Sequence, residues 1–224
     1  MIYISSMSLI MYNDFNAAFL LTGELNKLRV GQNVYLNYMN KSSPKIHVET
    51  PVMYSPFGVS IYPPNASYTD VKKSYSIDLS FNNFENDEEL AQMKNIIESI
   101  DSAMIEFGIK NSLEWFGKQM SRSVIEELYR PILRPSKNNK YAPTFKLKIR
   151  TDYNTGIPNI ECFNADNIKM NLDSIQKGDK MKAIFEFSPI WFMNKQFGVS
   201  LNVTSVMVTE TKPTITHFTF HNDN

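Results

Sequence analysis

Two stretches of strict alternation constrain the fold more than any other feature of the chain. In residues 74–81, Tyr75, Ile77, Leu79 and Phe81 alternate with Ser76, Asp78 and Ser80. In residues 144–150, Phe145, Leu147 and Ile149 alternate with Lys146, Lys148 and Arg150. Successive side chains of an extended chain point to opposite faces, so each stretch has one apolar and one polar face. That pattern predicts a strand packed on a core from one side.

A different period lies between them. Leu90, Met93, Ile97, Ile100, Met104 and Phe107 recur at intervals of three and four. This single apolar stripe predicts a helix capped by Asn86 or Asp87 and running to about residue 107. Glu88 and Glu89 suit the positive end of its dipole. A second helical stretch is expected over 111–129, restarting at Ser121 with Val124, Ile125 and Leu128 buried. Pro131 ends it, and Pro135 and Pro143 keep the next loop open.

Further strands are expected over 2–7, 33–39, 45–50, 59–62, 159–163, 180–187 and 197–208, with 188–196 a loop joining the last two. The apolar phase slips near Thr204 and Ser205, which predicts a β-bulge. Short strands, one helical block and a closing hairpin give a mainly β fold with inserted helices (α+β). An OB-fold-like antiparallel barrel is the common solution at this size; a sandwich fits the strand pattern equally. The expected division is an N-terminal extension over 1–43 with extra strands packed on the core. The barrel domain spans 44–210 with a helical insert at about 86–130, and 211–224 form a tail.

Composition narrows the function. The 224 residues are 42% hydrophobic and 21% charged, close to the globular average, so neither disorder nor a fibrous repeat fits. No two of the eight glycines lie closer than eight positions. A phosphate-cradling loop needs them two to five apart, so Rossmann and P-loop nucleotide binding are excluded. Cys162 is the only cysteine, which leaves no internal disulfide and no cysteine-based zinc site and fits a reducing compartment. The first 21 residues lack a positive n-region and no run of 18 apolar residues occurs, so neither signal peptide nor membrane span is expected.

Catalytic chemistry is poorly supplied. His217 and His221 lack a third ligand nearby, and His47 reads as structural. Cys162 has no adjacent base and reads as a buried thiol. The carboxylates between Glu85 and Glu89 read as a solvated helix start. No catalytic residue, metal or cofactor is expected.

Charge placement says more. Lys and Arg number 23, as do Asp and Glu, for a net charge of zero. Yet between Leu128 and Thr151 lie seven cations and no acid: Arg130, Arg134, Lys137, Lys140, Lys146, Lys148 and Arg150. Between Phe84 and Glu106 seven acids face one base, Lys94. Lys146, Lys148 and Arg150 share a strand face at about 6.5–7 Å spacing, suited to tracking a phosphate backbone. Lys180 and Lys182 repeat the arrangement. A solvated strand face needs no ligand, but a row of like charges without acids repels itself. Trp191 and Phe192 are adjacent, so one can fill the core while the other stacks a base beside Lys195. Tyr141 is a weaker stacking candidate.

Several stretches resemble the single-stranded DNA-binding proteins of podophage type, and more closely their relatives in nucleocytoplasmic large DNA viruses of algae and protists. They are 44–62 (PKIHVETPVMYSPFGVSIY), 75–81 (YSIDLSF), 111–118 (NSLEWFGK), 142–149 (APTFKLKI) and 175–208, with SPIWFMNKQFGVSLNV. The resemblance implies an OB-fold that coats single strands during viral DNA replication, recombination or repair, without catalysis. It matches Lys72 or Lys73 to a family cation before the strand, and the Trp191 loop to an aromatic and basic family loop. Podophage members end in a long acidic tail that recruits replication proteins; here residues 216–224 (THFTFHNDN) hold only Asp223.

The expected DNA-binding set is therefore Lys72, Lys73, Arg134, Lys137, Lys140, Lys146, Lys148, Arg150, Lys180, Lys182, Trp191 and Lys195. The expected partners are single-stranded DNA, viral replication proteins and a second copy of the chain, with no membrane and no small-molecule substrate. The expected place is intracellular, in the host nucleus or a cytoplasmic viral factory. A structural or assembly protein of a large DNA virus is the alternative, and a nuclease fits least.

Overall fold

The computed structural model describes residues 8–39, 46–63, 73–136 and 140–211. Its strands are β1 (Ser8–Met11), β2 (Leu20–Lys27), β3 (Gln32–Tyr38), β4 (Ile46–Glu49), β5 (Met53–Tyr54), β6 (Val59–Tyr62), β7 (Ser74–Ser80), β8 (Leu133–Arg134), β9 (Thr144–Ile149), β10 (Glu161–Phe163), β11 (Lys180–Phe187), β12 (Ile190–Met193), β13 (Gln196–Gly198) and β14 (Leu201–Glu210). The helices are α1 (Glu88–Lys110), α2 (Ser112–Phe116) and α3 (Arg122–Leu128). No helix among the described residues is long and apolar enough to cross a membrane.

Hydrogen bonding closes a ring in the order β11, β5, β7, β9, β14 and back to β11. Closure removes the exposed edges that an open sheet would present. One pair, β9 with β14, is parallel; the other four are antiparallel. The barrel is thus OB-like, with this single departure from a purely antiparallel ring. Its interior is filled by the apolar sets of the alternating strands, including Ile77, Leu79, Phe145, Leu147, Phe185, Leu201 and Val203. β4 continues the wall along β11 and carries β1 on its far side in parallel register.

The predicted bulge lies in β14. Ile184 of β11 faces Ser205, and Phe185 faces Val203, so Thr204 is the extra residue. Its hydroxyl donates to the Ile184 carbonyl at 3.2 Å. Leu201 and Val203 before the slip, and Val206 and Val208 after it, all face the core.

α1 starts where its cap predicts. The Asp87 side chain accepts from Leu90 N at 3.1 Å, satisfying one otherwise unpaired helix donor. Its buried stripe is Leu90, Met93, Ile96, Ile97, Ile100, Met104 and Gly108. Gly108 replaces Phe107 at the inner position because Phe197 leaves no room. A Cβ at Gly108 would sit 2.7 Å from the Phe197 ring.

The structure differs from these expectations in four places. The expected loop 188–196 contains β12, which forms a hairpin with β13 through Asn194 and Lys195, both at positive φ. The expected strand 197–208 is two strands, broken at Val199 and Ser200. β2 was not expected; it joins β3, β12 and β13 in a second four-stranded sheet. The helical stretch 111–129 is two short helices, Gly117 at φ +76° ending the first and Ser121 starting the second as expected, but Val124, expected buried, is exposed. The expected strand 2–7 lies outside the described residues.

Candidate functional site

β9 projects the cations. Phe145, Leu147 and Ile149 are buried in the barrel, so Lys146, Lys148 and Arg150 leave its outer face. Register then gives each a different neighbour. Asp78 of β7 stands opposite Lys146, with 3.7 Å between Oδ2 and Nζ. Arg150 pairs with the buried Glu186, which also lies 3.8 Å from His47 Nε2. On β11, Lys180 pairs with Glu210 at 2.9 Å and Lys182 with Glu49 at 3.2 Å. The expected acid-free row is thus corrected. Its acids come from other strands, which proximity in sequence does not reveal.

Lys148 is the exception. Ser76 and Asn202 flank it, and among the described residues no carboxylate pairs with it. Lys148 is exposed, yet partial desolvation of its ammonium lowers its pKa, and the like charges of Arg134 and Lys146 lower it further. A cation held against its own solvation and its neighbours' repulsion is one that an anion would stabilise. Asp78 shows the complement. Burial raises its pKa, while Lys146 and Arg134 hold it down.

A strap over residues 129–134 brings two more cations beside this face. The α1 residue Asp101 holds it: Oδ1 accepts from Tyr129 Oη at 2.6 Å and Ile132 N at 2.8 Å, and Oδ2 from Leu133 N at 3.1 Å. Arg130 N donates to the Phe197 carbonyl at 2.9 Å, and Arg130 Nε to Gln196 Oε1 at 2.7 Å. The strap ends in β8, which pairs with β9. Desolvation raises the Asp101 pKa, against the lowering effect of these three donors. Arg130, Arg134, Lys146 and Lys148 then surround a depression of about 100 Å³. Ile132, Val199 and Leu201 complete its wall, together with Trp191.

β12 positions Trp191 and separates it from Phe192. Phe192 enters an aromatic cluster with Trp115, Phe116 and Phe197. Trp191 stays half-buried on the depression, opposite Gly198 of β13. A Cβ at Gly198 would lie 2.7 Å from Trp191 Cζ2 and 3.0 Å from the Arg130 carbonyl oxygen. Only glycine lets the indole lie this close to the strand. Trp191 Nε1 is buried without a hydrogen-bond partner.

The structure therefore brings together Arg134, Lys146, Lys148 and Trp191. It places Lys180 and Lys182 elsewhere, each beside a carboxylate, with Lys182 lining a separate depression beside Phe163 and Met207. Lys73 is exposed before β7, and Lys195 is exposed in the β12–β13 turn. Lys140 is exposed, 5.6 Å from the Tyr141 ring centroid. Lys72, Lys137, His217 and His221 lie outside the described residues. Arg130 and Gly198 were not singled out as site residues. Arg130 belonged to the acid-free run, so its signal was present, whereas Gly198 matters only through its neighbours.

The acidic helix is less uniform than its sequence suggested. Asp101 is turned inward, Glu98 pairs with Lys94 at 2.6 Å, and Glu106 pairs with Arg122. Glu85, Glu88 and Glu89 remain exposed at its start. Cys162 is buried, and burial pushes its thiol up to about 11.

The closed ring and its order define an OB-like β-barrel protein with a cationic depression on its outer face. Residues 78–221 match a family of unknown function (DUF5871), and the chain belongs to that family. The match includes Arg130, Arg134, Lys146, Lys148, Trp191 and Gly198. No curated protein matches the chain. Among solved structures, the single-stranded DNA-binding protein gp2.5 of bacteriophage T7 is 17% identical. It covers 79% of this chain and 98% of its own, with a TM-score of 0.47. The single-stranded DNA-binding protein of bacteriophage Enc34, solved with single-stranded DNA, is 13% identical. It covers 88% of this chain and 98% of its own, with a TM-score of 0.46.

Proposed function

We propose that the chain binds single-stranded DNA across the outer face of β9, without catalysing a reaction on it. One observation carries the reading: Lys148, without a carboxylate partner among the described residues, sits with Arg130, Arg134 and Lys146 around a depression walled by Trp191. Phosphates would neutralise charges that the fold holds together at a cost. An indole at the rim offers a base an apolar surface to stack on, and stacking tolerates any sequence. The resemblance to podophage-type proteins supports extending this reading to replication, recombination or repair of a viral genome, with replication proteins or a second copy as partners.

The experiment is a titration of labelled oligo-dT, oligo-U and duplex of equal length at low salt. The proposal expects oligo-dT to bind more tightly than duplex. Absence of oligo-dT binding at low salt would turn the reading toward a structural or assembly protein. Oligo-U binding as tightly as oligo-dT would leave single strands, without preference for DNA, as the ligand.

A further inference from the structure

A second depression adjoins the first. It has a volume of about 510 Å³ and is lined by Ser60, Tyr62, Ser74, Ser76, Lys146 and Lys148, among others. Lys146 and Lys148 line both depressions, so the two adjoin across these lysines on the outer face. Register gives the direction of the row they belong to. Ser60 of β6 faces Ser76 of β7, which faces Lys148 of β9, which faces Asn202 of β14. A path along this row therefore crosses successive strands, each step about 4.8 Å. Tyr62 pairs with Ser74 and shares the outward face of Ser60, because residues two apart on a strand point the same way. Tyr62 is 72% exposed.

From this placement we propose that Tyr62 is a second base-stacking station, and that a single strand runs from Trp191 over Lys148 to the β6–β7 hairpin. This rests on the reading of the β9 face as a single-strand binding surface and adds the strand's path. Serines line the middle of the path, so the backbone can approach the sheet there without meeting large side chains. The cations sit midway, where phosphates pass, and an aromatic ring stands at each end. Tyr62 lies outside the stretch that matches the family, 78–221, so this station belongs to the part of the chain before that match.

The test compares the wild-type chain with Tyr62→Ala and Tyr62→Phe, titrating oligo-dT of increasing length at fixed salt. Tyr62→Ala is expected to lose roughly 5- to 150-fold in affinity for the longer oligonucleotides, as for one base–aromatic stack. Its affinity for the shortest oligonucleotides that bind, and its salt dependence, should match the wild type. Tyr62→Phe should retain wild-type affinity. Equal affinity of Tyr62→Ala and wild type at every length would overturn the inference while leaving the β9 reading intact. Weakening by Tyr62→Phe as large as by Tyr62→Ala would overturn it too, assigning the contact to the hydroxyl. A wild-type chain that bound no oligo-dT would remove the β9 reading and this inference together.

Discussion

Removing the Asp101 carboxylate should loosen both the fold and the site, because one side chain holds the strap that carries Arg130 and Arg134. It accepts three hydrogen bonds, from Tyr129 Oη, Ile132 N and Leu133 N, at 2.6 to 3.1 Å. Hydrogen bonds to a charged acceptor each contribute roughly 1.5–3 kcal/mol. Desolvation of the carboxylate offsets part of that sum. The expected net cost of Asp101→Ala is therefore about 2–4 kcal/mol. Asp101→Asn should cost less, since its carbonyl oxygen still serves two donors while its amide opposes the third. Urea denaturation gives the stability difference. Oligo-dT titration at several salt concentrations gives a second readout, because displaced arginines should flatten the salt dependence. The pKa direction fixes the pH profile. The folded Asp101 pKa is raised, so its proton-linked stability is fully present below the ordinary value of 3.8 and is lost as pH rises through the folded value. Asp101→Ala should lack that component. A stability within about 0.5 kcal/mol of wild type, the range of ordinary surface changes, would refute the account of the strap.

Lys148→Ala should weaken oligo-dT binding and reduce the salt slope by about 0.7, the share of one phosphate contact, with no loss of stability in urea. Because the Lys148 pKa is lowered, binding should weaken as pH rises through that value, below the ordinary lysine range; a pH titration of affinity shows this, and Lys148→Ala should abolish the step. Gly198→Ala should displace the Trp191 ring, visible as a change in tryptophan emission, and lower affinity several-fold while circular dichroism stays unchanged. Phe197→Ala, at a fully buried position in the aromatic cluster, should cost about 3–5 kcal/mol in urea denaturation.

The elements that could be read from sequence are those whose period is local. Alternation in β7 and β9, the α1 stripe and the slip at Thr204 each need only one segment, and all four elements form, although Ser76, Asp78 and Ser80 on the polar face of β7 are buried as well and Gly108 takes the inner place of Phe107. That Trp191 and Phe192 turn to different surroundings was legible for the same reason. Pairing was not. Asp78, Glu49, Glu186 and Glu210 reach the cations of β9 and β11 through strand register, which depends on the whole barrel. Among the described residues, the row Lys146, Lys148 and Arg150 therefore keeps only Lys148 without a carboxylate partner, and Arg130 joins it from a strap fixed by a distant helix. The β12–β13 hairpin was hidden because Asn194 and Lys195 make its turn without the glycine that usually marks one. β2 was hidden because Thr22, Gly23, Glu24 and Asn26 interrupt its alternation.

The central claim is that the cations grouped around Lys148 carry the nucleic-acid contact and the paired cations of β11 do not. The direct measurement is the slope of log affinity for oligo-dT against log salt, for wild type and two double variants. The wild type should give about −2 to −3, for three to four phosphates on a single strand. Arg134→Ala with Lys148→Ala should reduce its magnitude by about 1.4, twice the share of one contact. Lys180→Ala with Lys182→Ala should leave it unchanged, because Glu210 and Glu49 already neutralise those charges. A slope reduced by the β11 pair and untouched by the Arg134 and Lys148 pair would contradict the account.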